Sequence, residues 1–384
     1  MERIYPKIML VCGEESGDMR AAALVNAIKA EIPGASFSGI GGERCRQAGV
    51  DLIADISHLS VIGFTEVIRH YDRIKRVFDL AVNHARREHP DAVILVDYPG
   101  FNLRLAKQLK PLGIRIIYYV SPQVWAWKAS RVKLIKKIVD RMIVLFPFEK
   151  DFYARYGYEA DFVGHPLVDE VRADISAAQF RQKIGFEEKD RIIGLLPGSR
   201  EREIARHLPA MLKAAELIRQ EKPKTQFLLL RSKNLPDATF SLYLQSWKNT
   251  PDSRLVVTDN YYNALNACDA CIVSSGTATL ETALMEKPMV VVYRTSWPTY
   301  SIAKLVIKIP YIALANIVAG KKVADELLQQ NASPDKIAAA MLPFLRDQER
   351  LKTAARELRA VRAKLGATGA SQRAAKVVIS ELAR

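Results

Sequence analysis

The 384-residue chain is poor in cysteine, with 4, and in histidine, with 6. That scarcity argues against a disulfide scaffold and a histidine-rich metal centre, and it fits a reducing compartment. Cys268 and Cys271 do form a C-x-x-C pair. With no second pair or histidine cluster near them, packing in a buried strand is the simpler reading beside a redox or zinc site. Long apolar runs are missing too. The longest uncharged stretches, Ile116–Trp127 and Ile309–Gly320, are too short to span a bilayer. No Asp-x-Asp occurs, no glycines stand at the G-x-G-x-x-G spacing, and no low-complexity tract or short-period repeat is present. The start runs almost directly into a strand, without the basic, apolar and small-residue zones of a secretory signal, so residence in the cytoplasm is the expectation.

What the chain has in excess is positive charge: 57 Lys and Arg against 42 Asp and Glu, a net +15. An anionic partner follows, and nucleic acid, phosphorylated metabolites and an acidic membrane surface all qualify. The length allows two domains, each with its own core.

Short apolar blocks alternate with helical periodicities. The first is a strand at Ile8–Val11, then the loop Cys12–Asp18, a helix through Ile32 and a strand at Ser36–Ile40. Such βα alternation predicts parallel sheets with helices on both faces. The Gly13-Glu14-Glu15-Ser16-Gly17-Asp18 loop follows a strand and opens a helix, which turns Ser16 and Gly17 toward a ligand crevice. From His58 to Arg87, apolar residues including Val61, Ile62 and Phe64 alternate with arginine and lysine at helical spacings. This segment is read either as a helix packing on the sheet or as one resting on a membrane. The strand Ala92–Val96 ends in Asp97, at the carboxyl edge where open parallel sheets bind ligands. There the carboxylate either does chemistry or caps the next helix. Trp125 stacks on a ligand or wedges two elements together, and His165 serves a crevice or holds a hinge.

A second set of βα units begins at the strand Ile192–Leu196, which runs into Pro197-Gly198-Ser199-Arg200. Arg200 at a helix mouth suits a diphosphate. The stretch Ala270–Arg294 carries a loop of small residues, Ser274–Thr277, between a strand and a helix. Its N–H groups suit phosphate, with Glu281 one turn further on for ribose hydroxyls; an ordinary capped helix start uses the same residues. Trp297–Ile317 is read as core or as the lining of an acyl-chain pocket, and Ser333–Arg384 as amphipathic helices packing back over the first domain.

Six blocks in order give these loops a family. They are Gly13–Asp18, Asp97–Asn102 (DYPGFN), Tyr119–Trp127 (YVSPQVWAW), Phe162–His165 (FVGH), Leu196–Glu203 (LPGSRERE) and Ser275–Glu281 (SGTATLE). Over nearly its whole length the chain resembles the lipid-A-disaccharide synthase family. It departs from that pattern at Cys12, Glu15, Gly100, Tyr118 and Asp325.

The resemblance implies a GT-B type α/β fold, two doubly wound Rossmann-like domains facing a cleft. The expected divisions are 1–168 for the acceptor and membrane, 169–345 for UDP-sugar, and 346–384 as a helical segment crossing back. It implies an inverting, metal-independent transferase without cofactors, in the cytoplasm on the inner face of the inner membrane. The substrates would be UDP-2,3-diacylglucosamine and 2,3-diacylglucosamine 1-phosphate; the +15 charge would meet an anionic leaflet, and the chain could form a homodimer. Asp97 would be the base. Arg200, Ser275, Gly276, Thr277 and Glu281 would hold UDP, with Asn316, Glu326 and Gln329 as further donor-side residues. Glu14, Ser16, Gly17, Asp18, Trp125 and His165 would line the acceptor side, and Val61, Ile62 and Phe64 would face the membrane. A UDP-sugar epimerase of the same architecture is the alternative. A nucleic-acid binder, suggested by charge alone, lacks an aromatic-interleaved basic sheet.

Overall fold

A computed structural model describes residues 5–58, 71–127, 129–233, 235–248, 255–306 and 309–383. Val61, Ile62 and Phe64 lie outside these described residues. The chain divides into two compact units, Met1–Pro166 with Gly366–Arg384 (unit 1), and Leu167–Leu365 (unit 2).

Unit 1 is built on β1 (Lys7–Cys12), β2 (Ser36–Gly41), β3 (Asp51–Asp55), β4 (Ala92–Val96), β5 (Arg115–Tyr119), β6 (Arg141–Val144) and β7 (Ala160–Phe162). All pair in parallel, in the order β3-β2-β1-β4-β5-β6-β7. The central strand β4 reads Ala-Val-Ile-Leu-Val with every residue buried, the composition required of a strand covered on both faces. Helices α1 (Glu15–Glu31), α2 (Glu43–Gln47), α3 (Tyr71–Glu88), α4 (Pro99–Leu109) and α5 (Pro147–Ala154) belong to this unit. One apolar cluster gathers Met9, Leu95, Leu105 and Tyr118; another gathers Leu10, Leu24, Ile94 and Val378. Strand order reverses between β1 and β4, so the loops leaving their carboxyl ends part and open a crevice. Those loops carry Gly13 and Glu14 on one side, Asp97 and Tyr98 on the other.

Unit 2 repeats the plan with β8 (Arg191–Leu196), β9 (Thr225–Leu230), β10 (Leu255–Thr258), β11 (Ala270–Ser274), β12 (Met289–Tyr293) and β13 (Asp325–Leu328). The order is β10-β9-β8-β11-β12-β13. Its helices include α6 (Glu201–Glu221), α7 (Tyr261–Ala267), α8 (Thr277–Leu284), α9 (Trp297–Val306), α10 (Leu314–Ala319), α11 (Pro334–Arg346) and α12 (Gln348–Lys364). Here the reversal falls between β8 and β11. The loops at that point are Pro197–Arg200 and Ser275–Gly276, the two glycine-bearing turns singled out from sequence.

Two strands escape a reading by pattern. β3 (Asp-Leu-Ile-Ala-Asp) and β13 (Asp-Glu-Leu-Leu) are edge strands, half-buried and acidic. Only their pairing with β2 and β12 makes them strands. The C-terminal stretch also divides differently from a single crossing segment. α12 stays with unit 2: Arg359 pairs with Glu286 and Arg362 donates to the Leu284 carbonyl at 2.9 Å. The last helix, α13 (Ala370–Leu382), belongs to unit 1 and packs on α1.

Candidate active site

In unit 1 the crevice at the β1/β4 reversal is organised by Asp97. Asp97 and Tyr98 are consecutive non-glycine residues in the left-handed region, at φ +49° and +46°. Each such residue costs on the order of 1–3 kcal/mol, and conformations of this kind cluster at functional sites. Holding the turn, the Asp97 carbonyl accepts from the Tyr118 hydroxyl at 2.6 Å and from Asn102 Nδ2 at 2.8 Å. Gly13 makes room for it, since a Cβ there would lie 2.4 Å from the Tyr98 ring. The helix that follows, α4, has Tyr98 as its N-cap and no side-chain cap. The Asp97 carboxylate instead accepts from the backbone N–H of Tyr98, the residue before the helix. Burial raises the Asp97 pKa, Arg20 opposes that and Glu14 adds to it. Gly100 leaves no acidic neighbour in the sequence, but Glu14, on the facing loop, supplies one.

The other unit 1 residues divide between loop and scaffold. Glu14 and Ser16 are exposed at the start of α1, and Gly17 is buried beneath them. Asp18 is engaged within the fold. Its carboxylate accepts the backbone N–H of Gly42, Arg44 and Cys45 at 2.6, 3.0 and 3.2 Å, capping α2 from a buried position. Trp125 is a wedge: its indole Nε1 donates to Glu149 at 3.1 Å and its ring meets Phe148 edge-on at 4.9 Å. Glu149 in turn accepts from the N–H of Leu145 and Phe146. Burial pushes its pKa up to about 7. His165 is buried beside Phe146, 5.1 Å between ring centroids. Burial, with Arg20 adding, drives its pKa down to about 3. A ring held neutral by that margin is a weak proton acceptor.

In unit 2 the β8/β11 reversal brings two strand-to-helix turns together. Arg200 is the N-cap of α6, with an exposed guanidinium that pairs with Glu203 at 3.0 Å. Glu203 also accepts the Ser199 N–H at 2.9 Å. An exposed pair of this kind contributes up to about 1 kcal/mol, so an anionic ligand readily competes for the arginine. On the facing turn Gly276 stands at φ +147° with open space where a Cβ would project, and no side chain caps α8. The N–H groups at this helix mouth are those of Gly276 and Thr277. Ser275 is not one of the donors: its N–H donates to the Val292 carbonyl at 3.1 Å and its hydroxyl to the Ile312 carbonyl at 3.1 Å. Glu281 is half-buried on α8 and accepts from the hydroxyls of Tyr261 and Tyr262 at 3.0 and 3.1 Å. Burial raises its pKa while both tyrosines pull it down.

The whole chain can be matched to proteins of known type. Residues 8–379 match the family described as Lipid-A-disaccharide synthetase. The chain belongs to the lipid-A-disaccharide synthase family. A relative of that name from Nitrosococcus oceani is 44% identical over 382 residues, covering 100% of this chain and 98% of its own. Another, from Geobacter sulfurreducens, is 42% identical over 386 residues, covering 100% and 99%. Membership makes the protein a glycosyltransferase of lipid A biosynthesis with the GT-B fold. Among solved structures, MurG from Acinetobacter baumannii aligns with a TM-score of 0.56 at 16% identity, covering 98% of this chain and 100% of its own. A UDP-GlcNAc 2-epimerase from Neisseria meningitidis bound to UDP-GlcNAc aligns at 0.60 and 11% identity, covering 98% and 99%. At such identities the epimerase likeness is one of fold alone.

For a lipid-A-disaccharide synthase, three residues expected on the donor side are engaged with the surrounding framework. Asn316 is fully buried, and its amide donates to the Ala324 carbonyl and to Glu326 while its oxygen accepts from the N–H of Val323 and Ala324. Glu326 accepts from the N–H of Ile312 and Ala313, capping the start of α10. Gln329, at φ +51°, pairs with both the N–H and the carbonyl of Thr295. All four polar positions of Asn316 are filled within the fold, and it shapes the wall through Glu326.

Sequence reasoning passed over Arg20 and His207. Both carried a signal in helical spacing: Arg20 follows Ser16 by four on α1, and His207 follows Arg200 by seven and Glu203 by four on α6, so each shares a face with a motif residue.

Proposed function

We propose that this glycosyltransferase joins UDP-2,3-diacylglucosamine to 2,3-diacylglucosamine 1-phosphate, forming a β-1,6-linked disaccharide 1-phosphate and UDP. The observation that carries the reading is the full-length family match together with a burial-tuned carboxylate, Asp97, at the strand-order reversal of unit 1.

An α-linked donor and a β-linked product call for one in-line displacement with inversion. Asp97 accepts the proton of the attacking 6-hydroxyl as its oxygen bonds to the anomeric carbon and the bond to the diphosphate breaks. A carboxylate made more basic by burial is suited to that step. The departing diphosphate takes on charge, which Arg200 and the N–H groups of Gly276 and Thr277 stabilise at the mouths of α6 and α8. Glu281, oriented by Tyr261 and Tyr262, accepts from the ribose hydroxyls. Arginine and helix dipoles here do the work of a divalent ion, in keeping with a sequence that holds no Asp-x-Asp. The protein acts at an anionic membrane surface on the cytoplasmic side, to which its net +15 is complementary.

Incubation with both substrates, followed by mass spectrometry for the disaccharide 1-phosphate and UDP, tests the reaction. Consumption of donor without acceptor, or failure to form the disaccharide, rejects it. Full turnover in chelator supports the metal-independent route, and loss of turnover restored by a divalent ion overturns it.

A further inference from the structure

At the carboxyl edge of unit 2, beyond the ends of β12 and β13, lies a cavity of about 400 Å³. Arg206, Arg294, Thr295 and Trp297 are among its lining residues. Arg294 is half-buried, and among the described residues its guanidinium has neither a hydrogen-bond nor an ion-pair partner. Arg206 is exposed, with one long contact to the Thr295 hydroxyl at 3.5 Å. Two cations thus line one recess without a carboxylate among its lining residues.

The same recess opens beside α9, an amphipathic helix with an unusual exposed side. Trp297 is 62% exposed at its first residue and Leu305 is 84% exposed in its last turn, with Lys304 exposed beside it. In a water-soluble surface helix these positions are normally polar. A tryptophan, an aliphatic tip and a lysine next to two arginines is the composition of a helix lying in a lipid headgroup layer. Trp sits at that depth by preference, and the arginines match phosphate by paired charge-assisted bonds.

We propose that the Arg206–Arg294 recess and the exposed face of α9 form the surface by which unit 2 docks on an anionic lipid bilayer. A lipid phosphate lies between the two guanidinium groups, and Trp297 and Leu305 enter the boundary between headgroups and acyl chains. The inference rests on the proposed reaction only in that lipid-borne substrates require such docking. Among the described residues no helix is long and apolar enough to cross a membrane, so contact of this kind is the mode these residues offer.

Co-sedimentation of the full chain with phosphatidylcholine vesicles, with and without about one-third phosphatidylglycerol, tests it. Wild type is expected to partition selectively onto the anionic vesicles, with a blue shift of tryptophan fluorescence. Replacing Trp297 and Leu305 together by Ser weakens partition, and R206Q with R294Q weakens it by about fivefold per charge removed. R294K retains it, which separates lost charge from a disturbed fold. UDP affinity, read by calorimetry, stays within about twofold throughout. Partition unchanged in both double variants, or absent in wild type, overturns the proposal; so does a large loss of UDP affinity in R206Q/R294Q, which would assign the recess to the nucleotide. Vesicle partition is read without turnover. A protein that forms no disaccharide yet partitions as described would therefore reject the reaction and leave this surface standing.

Discussion

The backbone N–H of Arg294 donates to Nε2 of His207 at 3.0 Å, and the other ring nitrogen lies 2.9 Å from the Pro197 carbonyl. Because Nε2 accepts, Nδ1 carries the proton and the imidazole is neutral. One buried ring therefore ties the loop after β8 to the end of β12. Replacing His207 by Phe leaves a carbonyl and an N–H unsatisfied, at about 2–4 kcal/mol, and loosens the turn that presents Arg200. Urea denaturation and UDP titration on the same variant are expected to show both losses; intact UDP affinity would separate the ring from the donor site.

Asp97→Asn is expected to lower turnover by about 10²- to 10⁴-fold with UDP affinity nearly unchanged. Because the folded pKa of Asp97 is raised, its ionised form costs stability as pH rises past the ordinary carboxylate range. The amide removes that cost, so the variant should melt no lower than wild type at neutral pH. Near-normal turnover would exclude Asp97 as the base.

Arg200→Ala removes an exposed ion pair, so thermal stability should barely move. UDP affinity, in contrast, is expected to drop by about 10- to 100-fold with the loss of charge-assisted bonds to diphosphate. Calorimetry with UDP and with uridine separates the effect: uridine binding should be the same in both proteins.

For Glu281 the discriminating measurement is selectivity. Wild type should prefer UDP to its 2′,3′-dideoxy analogue, and Glu281→Gln should erase most of that preference, on the order of 1–3 kcal/mol. If the two proteins discriminate equally, Glu281 serves only the two tyrosines.

Glu149 and His165 should tilt stability in opposite directions across the acid range. Glu149 has a folded pKa of about 7, above the unfolded carboxylate value of about 4.3. Its stabilising contribution is present below the unfolded value and lost as pH rises through about 7. His165, at about 3 when folded, contributes above the unfolded value of about 6.5 and loses that contribution as pH falls toward 3. Melting curves across pH should lose the fall between about pH 4.3 and 7 in Glu149→Gln and the fall from about 6.5 toward 3 in His165→Gln; parallel profiles would count against both assignments.

Asn316→Ala should act as a fold mutation, with a loss of about 3 kcal/mol from four unmade hydrogen bonds. A changed UDP affinity without loss of stability would restore it as a ligand contact.

The amino-acid order alone determined the βα repeat, both switch-point loops and the family, because continuous apolar strands and glycine-bearing turns are local signals. The places of Asp97, Arg200 and Gly276 were legible for that reason: each sits directly after a strand or at a helix start, at a strand-order reversal. Tertiary structure decided which polar residues are already occupied. Asp18, Ser275, Asn316, Glu326 and Gln329 carry the same side chains a ligand site would use, yet each answers a backbone N–H or carbonyl brought close only by folding. It also placed Glu14 and Arg20 beside Asp97, and His207 beneath the Arg200 loop. The reason is physical: hydrogen-bond capacity is finite, and how a side chain uses it depends on neighbours distant in sequence.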